Sequence, residues 1–271
     1  MCIYSVINID MINSRKLHNR SSMQSAIKNY VQTVNMQEQE HLLAPITFTL
    51  GDEWQIVLKD SSDSYRFIEK FQVFLKKHGI DIYAGIGIGT LSTNIYEDTR
   101  LMDGDCFIKA REALNIVKDK NRFYNENLNS KENNVYFKAN EIFIRKQLDW
   151  RSDDSEVTSL KEVAVARDVT TAFECCRGVS DYNNELSINR IINALIENTE
   201  VLKKRITNKQ AEMIELYRQE GSYGNMIRKR PEISKASISQ KINDSNYFLI
   251  ESNKAIIEKL FKLYCEIRKD N

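Results

Sequence analysis

Two prolines in 271 residues exclude a proline-rich stalk, and nine glycines are too few for a loop-rich all-β chain. The five cysteines, Cys2, Cys106, Cys175, Cys176 and Cys265, are odd in number and irregular in spacing. Neither a secreted disulfide framework nor a CxxC zinc site follows from them. Cys175 and Cys176 are adjacent, so on a helix they point in different directions and make a poor metal pair. His18, His41 and His78 are scattered, and none stands at HExxH spacing. No apolar run reaches the ~18 residues that a membrane-spanning helix needs. The first dozen residues are apolar but lack a basic leader and a small-residue cleavage site, and Asp10 interrupts them. The expectation is a reduced, cytoplasmic protein with no membrane contact. Lys and Arg (39) nearly balance Asp and Glu (38), so any nucleic-acid contact needs a local patch.

The chain does carry a globular balance of residues. Apolar residues make up 42%, charged residues 28%, and mean hydropathy is −0.48. At roughly 100–200 residues per domain, the length suits one large domain or two ordinary ones. Cys2–Asp10 is short, β-branched and apolar, which predicts a buried strand. Met23–Gln39 has helical spacing, with Ser21 or Ser22 as a candidate N-cap. Ile46–Leu50 and Trp54–Leu58 predict a hairpin across Gly51-Asp52-Glu53. Ser64–His78 predicts a second helix, Ile80–Leu91 a strand, and Asp105–Lys120 a third helix. Val135–Ile144 suits one or two edge strands. Helices between strands over this length imply an antiparallel or mixed sheet with helices on one face. Composition changes at Asp149–Asp154, which divides the chain into 1–150 and 151–271. Beyond it the pattern is helical, in segments Glu156–Cys176, Leu186–Arg205, Asn208–Glu220 and Glu251–Ile267.

Two carboxylates stand where a sheet of this kind brings them to one edge. Asp10 ends the first strand, and Asp52 sits in the hairpin turn of TLGDEWQ. Magnesium takes hard oxygen ligands, often one or two carboxylates completed by phosphate and water. The alternative is turn chemistry alone, since Asp after a strand and Gly-Asp in a hairpin are ordinary turn residues. Gly85, Gly87 and Gly89 of GIGIG lie at period two and share a strand face. They are no dinucleotide fingerprint, because no GxxG and no helix follow directly. Either a helix packs closely on them or a ligand approaches there. Asp103-Gly104-Asp105 opens the third helix, where acidic residues suit the helix dipole. The alternative is a substrate loop, with Lys109 and Arg111 reaching phosphate oxygens.

The blocks INIDMINSRKL, TFTLGDEWQ, GIGIGTLST and DGDCFIKAREAL resemble the SatD family of bacterial proteins. The first three blocks more distantly resemble the palm-like catalytic domain of class III nucleotidyl cyclases and of GGDEF diguanylate cyclases. The resemblance implies an α+β, ferredoxin-like (palm) antiparallel sheet followed by an all-α domain. It also implies that Asp10 and Asp52 hold Mg²⁺ or Mn²⁺, with Glu53 as helper. Ser14, Arg15, Gly51 and Glu53 become nucleotide-binding candidates, and Lys109 and Arg111 catalytic ones. Trp54 stands where the family's GDEF hairpin has Phe, and Lys109 stands where Asn is usual. A nucleotidyl cyclase or nucleotidyltransferase reading follows from the resemblance, and so does a homodimer, because palm cyclases work across a dimer interface.

Residues 207–246 read as a helix-turn-helix. Thr207 caps Asn208–Glu220, Gly221 ends it, Pro231 closes the next short helix, and Ser234 caps Lys235–Asp244. Ile238 and Ile242 face inward, leaving Lys235, Ser237, Ser239, Gln240 and Lys241 for phosphates and base edges. Lys203–Lys241 holds ten basic and four acidic residues, a local positive surplus suited to DNA. The alternative is a helix-turn-helix used for dimerisation or docking. The sequence thus leads to a nucleotide-responsive regulator: a sheet domain that binds or converts a nucleoside triphosphate or nucleotide messenger, and a helical domain that binds DNA. The runner-up is a non-catalytic DNA-binding regulator on a degenerate palm scaffold.

Overall fold

The computed structural model describes residues 2–16, 20–145, 162–165 and 185–270. In chain order, strand β1 (Tyr4–Met11) precedes helix α1 (Arg20–Gln37) and the hairpin β2 (Leu42–Leu50) and β3 (Glu53–Leu58). Helix α2 (Ser64–Lys76), strand β4 (Ile82–Gly89), helix α3 (Asp105–Lys118), the single turn α4 (Lys120–Phe123) and strand β5 (Val135–Lys138) follow. The five strands form one sheet in the order β2-β3-β1-β4-β5. The first three neighbouring pairs are antiparallel, as the ferredoxin-like reading requires. The sheet is mixed, because β5 runs parallel to β4. Parallel neighbours need a crossover, and α3 supplies it.

Alternation in the strands assigns the two faces. Ile7, Ile9 and Met11 of β1, Trp54, Ile56 and Leu58 of β3, and Ala84, Ile86 and Ile88 of β4 share one core. Helix α1 packs Ile27, Val31 and Val34 against it, and α2 packs Phe67, Ile68, Phe71 and Leu75. Full burial of such side chains contributes about 1.5–3 kcal/mol each. Helix α1 begins at Arg20, so Ser21 and Ser22 lie inside its first turn rather than capping it.

Helices on one face is where expectation and structure part. Helix α3 covers the opposite face, over Val6 and the glycines of β4. A Cβ on Gly87 would stand 2.1 Å from the Cys106 carbonyl oxygen, and one on Gly85 2.2 Å from the Leu114 nitrogen. The row of missing side chains therefore seats the α3 backbone directly on the strand, which is the packing reading of GIGIG.

The chain beyond β5 is less purely helical than its pattern implied. Strands β6 (Ile142–Arg145), β7 (Glu162–Val165) and β8 (Glu185–Ser187) form a small antiparallel sheet in the order β7-β6-β8. The Glu162–Val165 part of the helix expected over Glu156–Cys176 is thus a strand, where Val163 and Val165 alternate and pair with β6. The rest of that segment, the expected boundary at Asp149–Asp154, Cys175–Cys176 and His18 lie outside the described residues.

Helices α5 (Ile188–Lys204), α6 (Asn208–Glu220), α7 (Tyr223–Lys229), α8 (Lys235–Asp244) and α9 (Tyr247–Asp270) complete the chain. Burial divides them into two groups. Ile188, Ile192 and Ile196 of α5 and Ile257, Phe261 and Tyr264 of α9 join the sheet's core. Met213, Ile214, Met226, Ile238 and Ile242 of α6, α7 and α8 form a separate core. The caps are those the sequence predicts. Thr207 and Gln210 make a capping box, Gly221 ends α6 at φ 71°, and Ser234 accepts from the Ser237 amide.

Candidate functional site

Asp10 lies opposite Glu53 in the β1–β3 register, so both side chains project from the face that α3 partly covers. The β2–β3 connection is the Gly51-Asp52 turn, and the Met11 amide donates to the Asp52 carbonyl at 3.2 Å. Asp10, Asp52 and Glu53 therefore share one corner of the sheet. Each carboxylate already has an internal partner. Lys118 Nζ lies 2.8 Å from Asp10 Oδ2, and the Arg111 guanidinium 2.6 Å from Glu53 Oε1. Thr49 Oγ1 donates to Glu53 Oε1 at 2.9 Å, and the Ser14 hydroxyl donates to Asp52. Arg111 and Lys118 are two turns apart on α3, so they lie on one side of the helix. Burial raises the Asp10 carboxyl above its usual range; Lys118 opposes this, and repulsion from Asp52 and Glu53 reinforces it.

The other sequence candidates fall in different places. Glu53 is 1% exposed, at the base of the cluster. Lys109 is buried and pairs with Asp105 one turn earlier on α3, away from the three carboxylates' partners. Arg111 is brought to the cluster, and Lys109 is not. Gly51 sits in the turn, with its carbonyl accepting from Gln24 Nε2 at 3.2 Å. Arg15 is exposed in the short turn Ser14–Lys16 after β1.

Asp10 and Asp52 offer the hard oxygen donors that Mg²⁺ or Mn²⁺ prefers. Among the described residues no group of three or more His, Cys, Asp or Glu side chains is placed to hold a metal. Asp10 is paired with Lys118, and Asp52 accepts from Ser14.

Next to Thr49 and Arg111, the partners of Glu53, a cleft of about 490 Å³ opens between α3, the Thr99–Asp103 segment and the sheet. Asn8 and Gln55 form its floor, and Arg111 stands at the end nearest Glu53. Asn8, Gln55 and Lys118 were not among the sequence candidates. The signal for the first two was a polar residue inside an apolar strand, two positions from Asp10 and from Glu53. For Lys118 it was the seven-residue spacing from Arg111. A larger cavity, about 870 Å³, lies between α2, α5, α6 and α9, and its lining reaches Ile82, the cross-strand partner of Met11. Several of its charges face one another, as in Arg218–Glu69 and Lys203–Glu200, so it reads as a seam between helices.

In the helix-turn-helix, α8 buries Ile238 and Ile242 completely. Lys235 and Gln240 are exposed, and Ser237, Ser239 and Lys241 are half-buried along its outer side. No helix among the described residues is long and apolar enough to cross a membrane.

The SatD family model matches residues 4–157, more than half of the chain, and the chain belongs to that family. No curated protein matches it.

Proposed function

We propose that this SatD-family chain is a nucleotide-responsive regulator. The sheet corner binds a nucleoside triphosphate or nucleotide messenger through Mg²⁺ or Mn²⁺, and the helix-turn-helix binds DNA. The observation that supports the reading is the convergence of Asp10, Asp52 and Glu53 at one corner of the sheet, with Arg111 reaching from Glu53 into the neighbouring cleft. Asp10 and Asp52 would hold the ion, and a bound ion neutralises phosphate charge. Ser14 orients Asp52 by its hydrogen bond, and Glu53 fixes Arg111 at the cleft. Nucleotidyl cyclase or transferase chemistry would place a ribose hydroxyl as nucleophile and pyrophosphate as leaving group. Arg111 would then offset charge on the phosphates. Binding has the stronger support, because Lys109 is held by Asp105.

The DNA reading rests on the exposed polar side of α8 and the basic surplus of residues 203–241. Helix-turn-helix proteins commonly read two half-sites as dimers. Leu249, Ile256 and Leu263 recur every seven residues on α9 and are 50%, 44% and 43% exposed, which supports a homodimer paired through that helix. A second reading also has an observation behind it. Lys118 and Arg111 already neutralise two of the three carboxylates, as a scaffold without a metal would require.

Isothermal titration with ATP and GTP, with and without Mg²⁺, separates the two readings. The nucleotide reading expects metal-dependent binding that Asp10→Ala and Asp52→Ala both abolish. Absence of binding by either nucleotide favours the degenerate scaffold, which still expects salt-dependent duplex binding.

A further inference from the structure

The core of the sheet and the core of the helix-turn-helix leave a space between them. Ile80 and Ile82 belong to the first core. Ile214 belongs to the second, with Ile206 and Leu216 packed against it. All five, together with Val73 of α2, line the cavity of about 870 Å³. Protein interiors are close-packed, with few voids larger than a water molecule, so a gap of this size between two apolar surfaces has room for a further molecule. Its volume lies within the usual range of small-molecule sites, which favour the spaces between helices and between domains.

The lining decides the ligand's charge. Arg218 pairs with Glu69 and Glu251, Lys203 with Glu200, Lys229 with Glu220 and Arg230 with Glu232. Among the described residues, the lining charges outside any ion pair are Lys76, Lys77 and Lys204 against Asp81, Glu212 and Glu215. They balance in sign, and all six residues are exposed. An ionised ligand therefore gains no net attraction there and loses hydration against the isoleucines. Asn134 also lines the cavity, at 3% exposure. Lys120 Nζ, which can only donate, meets Asn134 Oδ1 at 2.5 Å. Asn134 Nδ2 is left with accessible surface and no partner among the described residues, so the lining holds one unused donor. We infer that this cavity is an effector pocket for an uncharged, largely apolar small molecule with a hydrogen-bond acceptor. Its walls are the two cores, so an occupant bridges the sheet and the helix-turn-helix. Only its effect on duplex binding rests on the proposed DNA reading.

The test compares two fluorescent probes that differ in charge. The full chain is titrated with prodan, an uncharged naphthalene ketone, and with the naphthalene sulfonate that carries the same dimethylamino group. The expected result is saturable binding of prodan, about tenfold or more tighter than that of the anion. Val73 is 37% exposed on α2, so Val73→Trp fills the cavity without entering the core. It should weaken prodan about tenfold or more at an unchanged melting temperature. Ala211→Phe fills the cavity from α6 and decides alone if Val73→Trp does not fold. Asn134→Ala should weaken prodan about threefold or more, the worth of one hydrogen bond. Ile256→Ser interrupts the exposed apolar stripe of α9 and should leave the affinity unchanged. Absence of saturation, indifference to the cavity-filling variants, or a loss on Ile256→Ser overturns the pocket. Equal affinity for the two probes overturns its preference for an uncharged ligand, and indifference to Asn134→Ala overturns the acceptor. Prodan binding that passes these tests while duplex affinity is absent or unchanged keeps the pocket and removes its control over DNA.

Discussion

Replacing Gly87 by Ala adds one methyl group at the tightest point between sheet and helix. Its Cβ would lie 2.1 Å from the Cys106 carbonyl oxygen, 2.2 Å from the Ala110 nitrogen and 2.9 Å from the Ala110 Cα. All three are backbone atoms, so no side chain can rotate away, and α3 must lift. Overpacking of this kind costs about 1–3 kcal/mol, and the upper part of that range applies because the obstacle is a helix backbone. Ala also lowers the entropy of the unfolded chain, which offsets about 0.4–1 kcal/mol. A net loss of about 2 kcal/mol corresponds to a fall in melting temperature of about 4–8 °C for a domain of this size. Differential scanning calorimetry and urea denaturation measure it directly. Gly224→Ala is the internal control. The nearest atom its Cβ would meet is the Ser222 hydroxyl oxygen at 3.9 Å, and it lies on the short helix α7, where Ala is favoured by up to about 1 kcal/mol. Equal melting temperatures for the two variants would refute the packing account of the glycine row. A lifted α3 also withdraws Arg111 and Lys118 from Glu53 and Asp10, so Gly87→Ala should weaken any ligand binding at the corner.

The Asp10 carboxyl should titrate above the ordinary 3.8, seen by NMR as a raised midpoint. Because its folded pKa is raised, its contribution to stability is full below the unfolded value and is lost as pH rises through the folded one, and Asp10→Asn should remove that dependence. Glu200, 3% exposed, accepts from the Tyr65 hydroxyl at 2.6 Å and Gln72 at 2.8 Å and pairs with Lys203 at 2.8 Å. Glu200→Ala should therefore cost about 3 kcal/mol in urea denaturation, and a loss under about 1 kcal/mol would contradict its role as the tie between α5 and α2. The Lys235→Ala/Lys241→Ala double variant should weaken duplex binding and reduce the slope of log K against log salt by about 2. An unchanged slope places both lysines away from phosphate.

Elements were legible wherever the local pattern settles them. The β-branched apolar run Cys2–Asp10 and the caps Thr207, Gly221 and Ser234 are local signals, and the structure follows them. The meeting of Asp10 with the hairpin was legible too, since a strand beside a hairpin fixes which ends adjoin. What was not legible depends on tertiary placement. Alternation identifies β4 as a strand but does not say that α3 crosses to the other face, nor that β5 returns parallel. The four residues Glu162–Val165 carry too short a pattern to compete with the helical periodicity around them, and their pairing with β6 is long-range. Asn8 and Gln55 come side by side only through the β1–β3 register, which no local pattern states.

The helix-turn-helix is joined to the sheet at both of its ends by helices that share the sheet's core. Helix α5 leads into α6, and α9 leaves α8 through Ser245-Asn246, with Asn246 at φ 55°. Between these joints one ion-pair group fastens α6 to α2. Arg218 lies 3.4 Å from Glu69 and 2.9 Å from Glu251, and Lys254 lies 2.5 Å from Glu69. Burial works to raise the Glu69 carboxyl, but Lys203, Lys254 and Arg218 overcome it and hold the group below its usual range. Helix α2 in turn touches β1 through the Ser5–Ser64 hydroxyl pair at 2.7 Å. The contacts are therefore continuous from the strand that carries Asp10 to the helix packed beneath α8. Contiguity alone does not make two sites coupled. Coupling, where it exists, is reciprocal: a nucleotide that changes duplex affinity by some factor must have its own affinity changed by the same factor when duplex is bound. Titrating each ligand in the presence of the other therefore measures one quantity twice. A common factor different from one would show coupling, and double-mutant cycles at Glu69 and Arg218 would then test whether it runs through these contacts. Two factors of one would mean that the carboxylate corner and the helix-turn-helix share a chain without sharing an equilibrium.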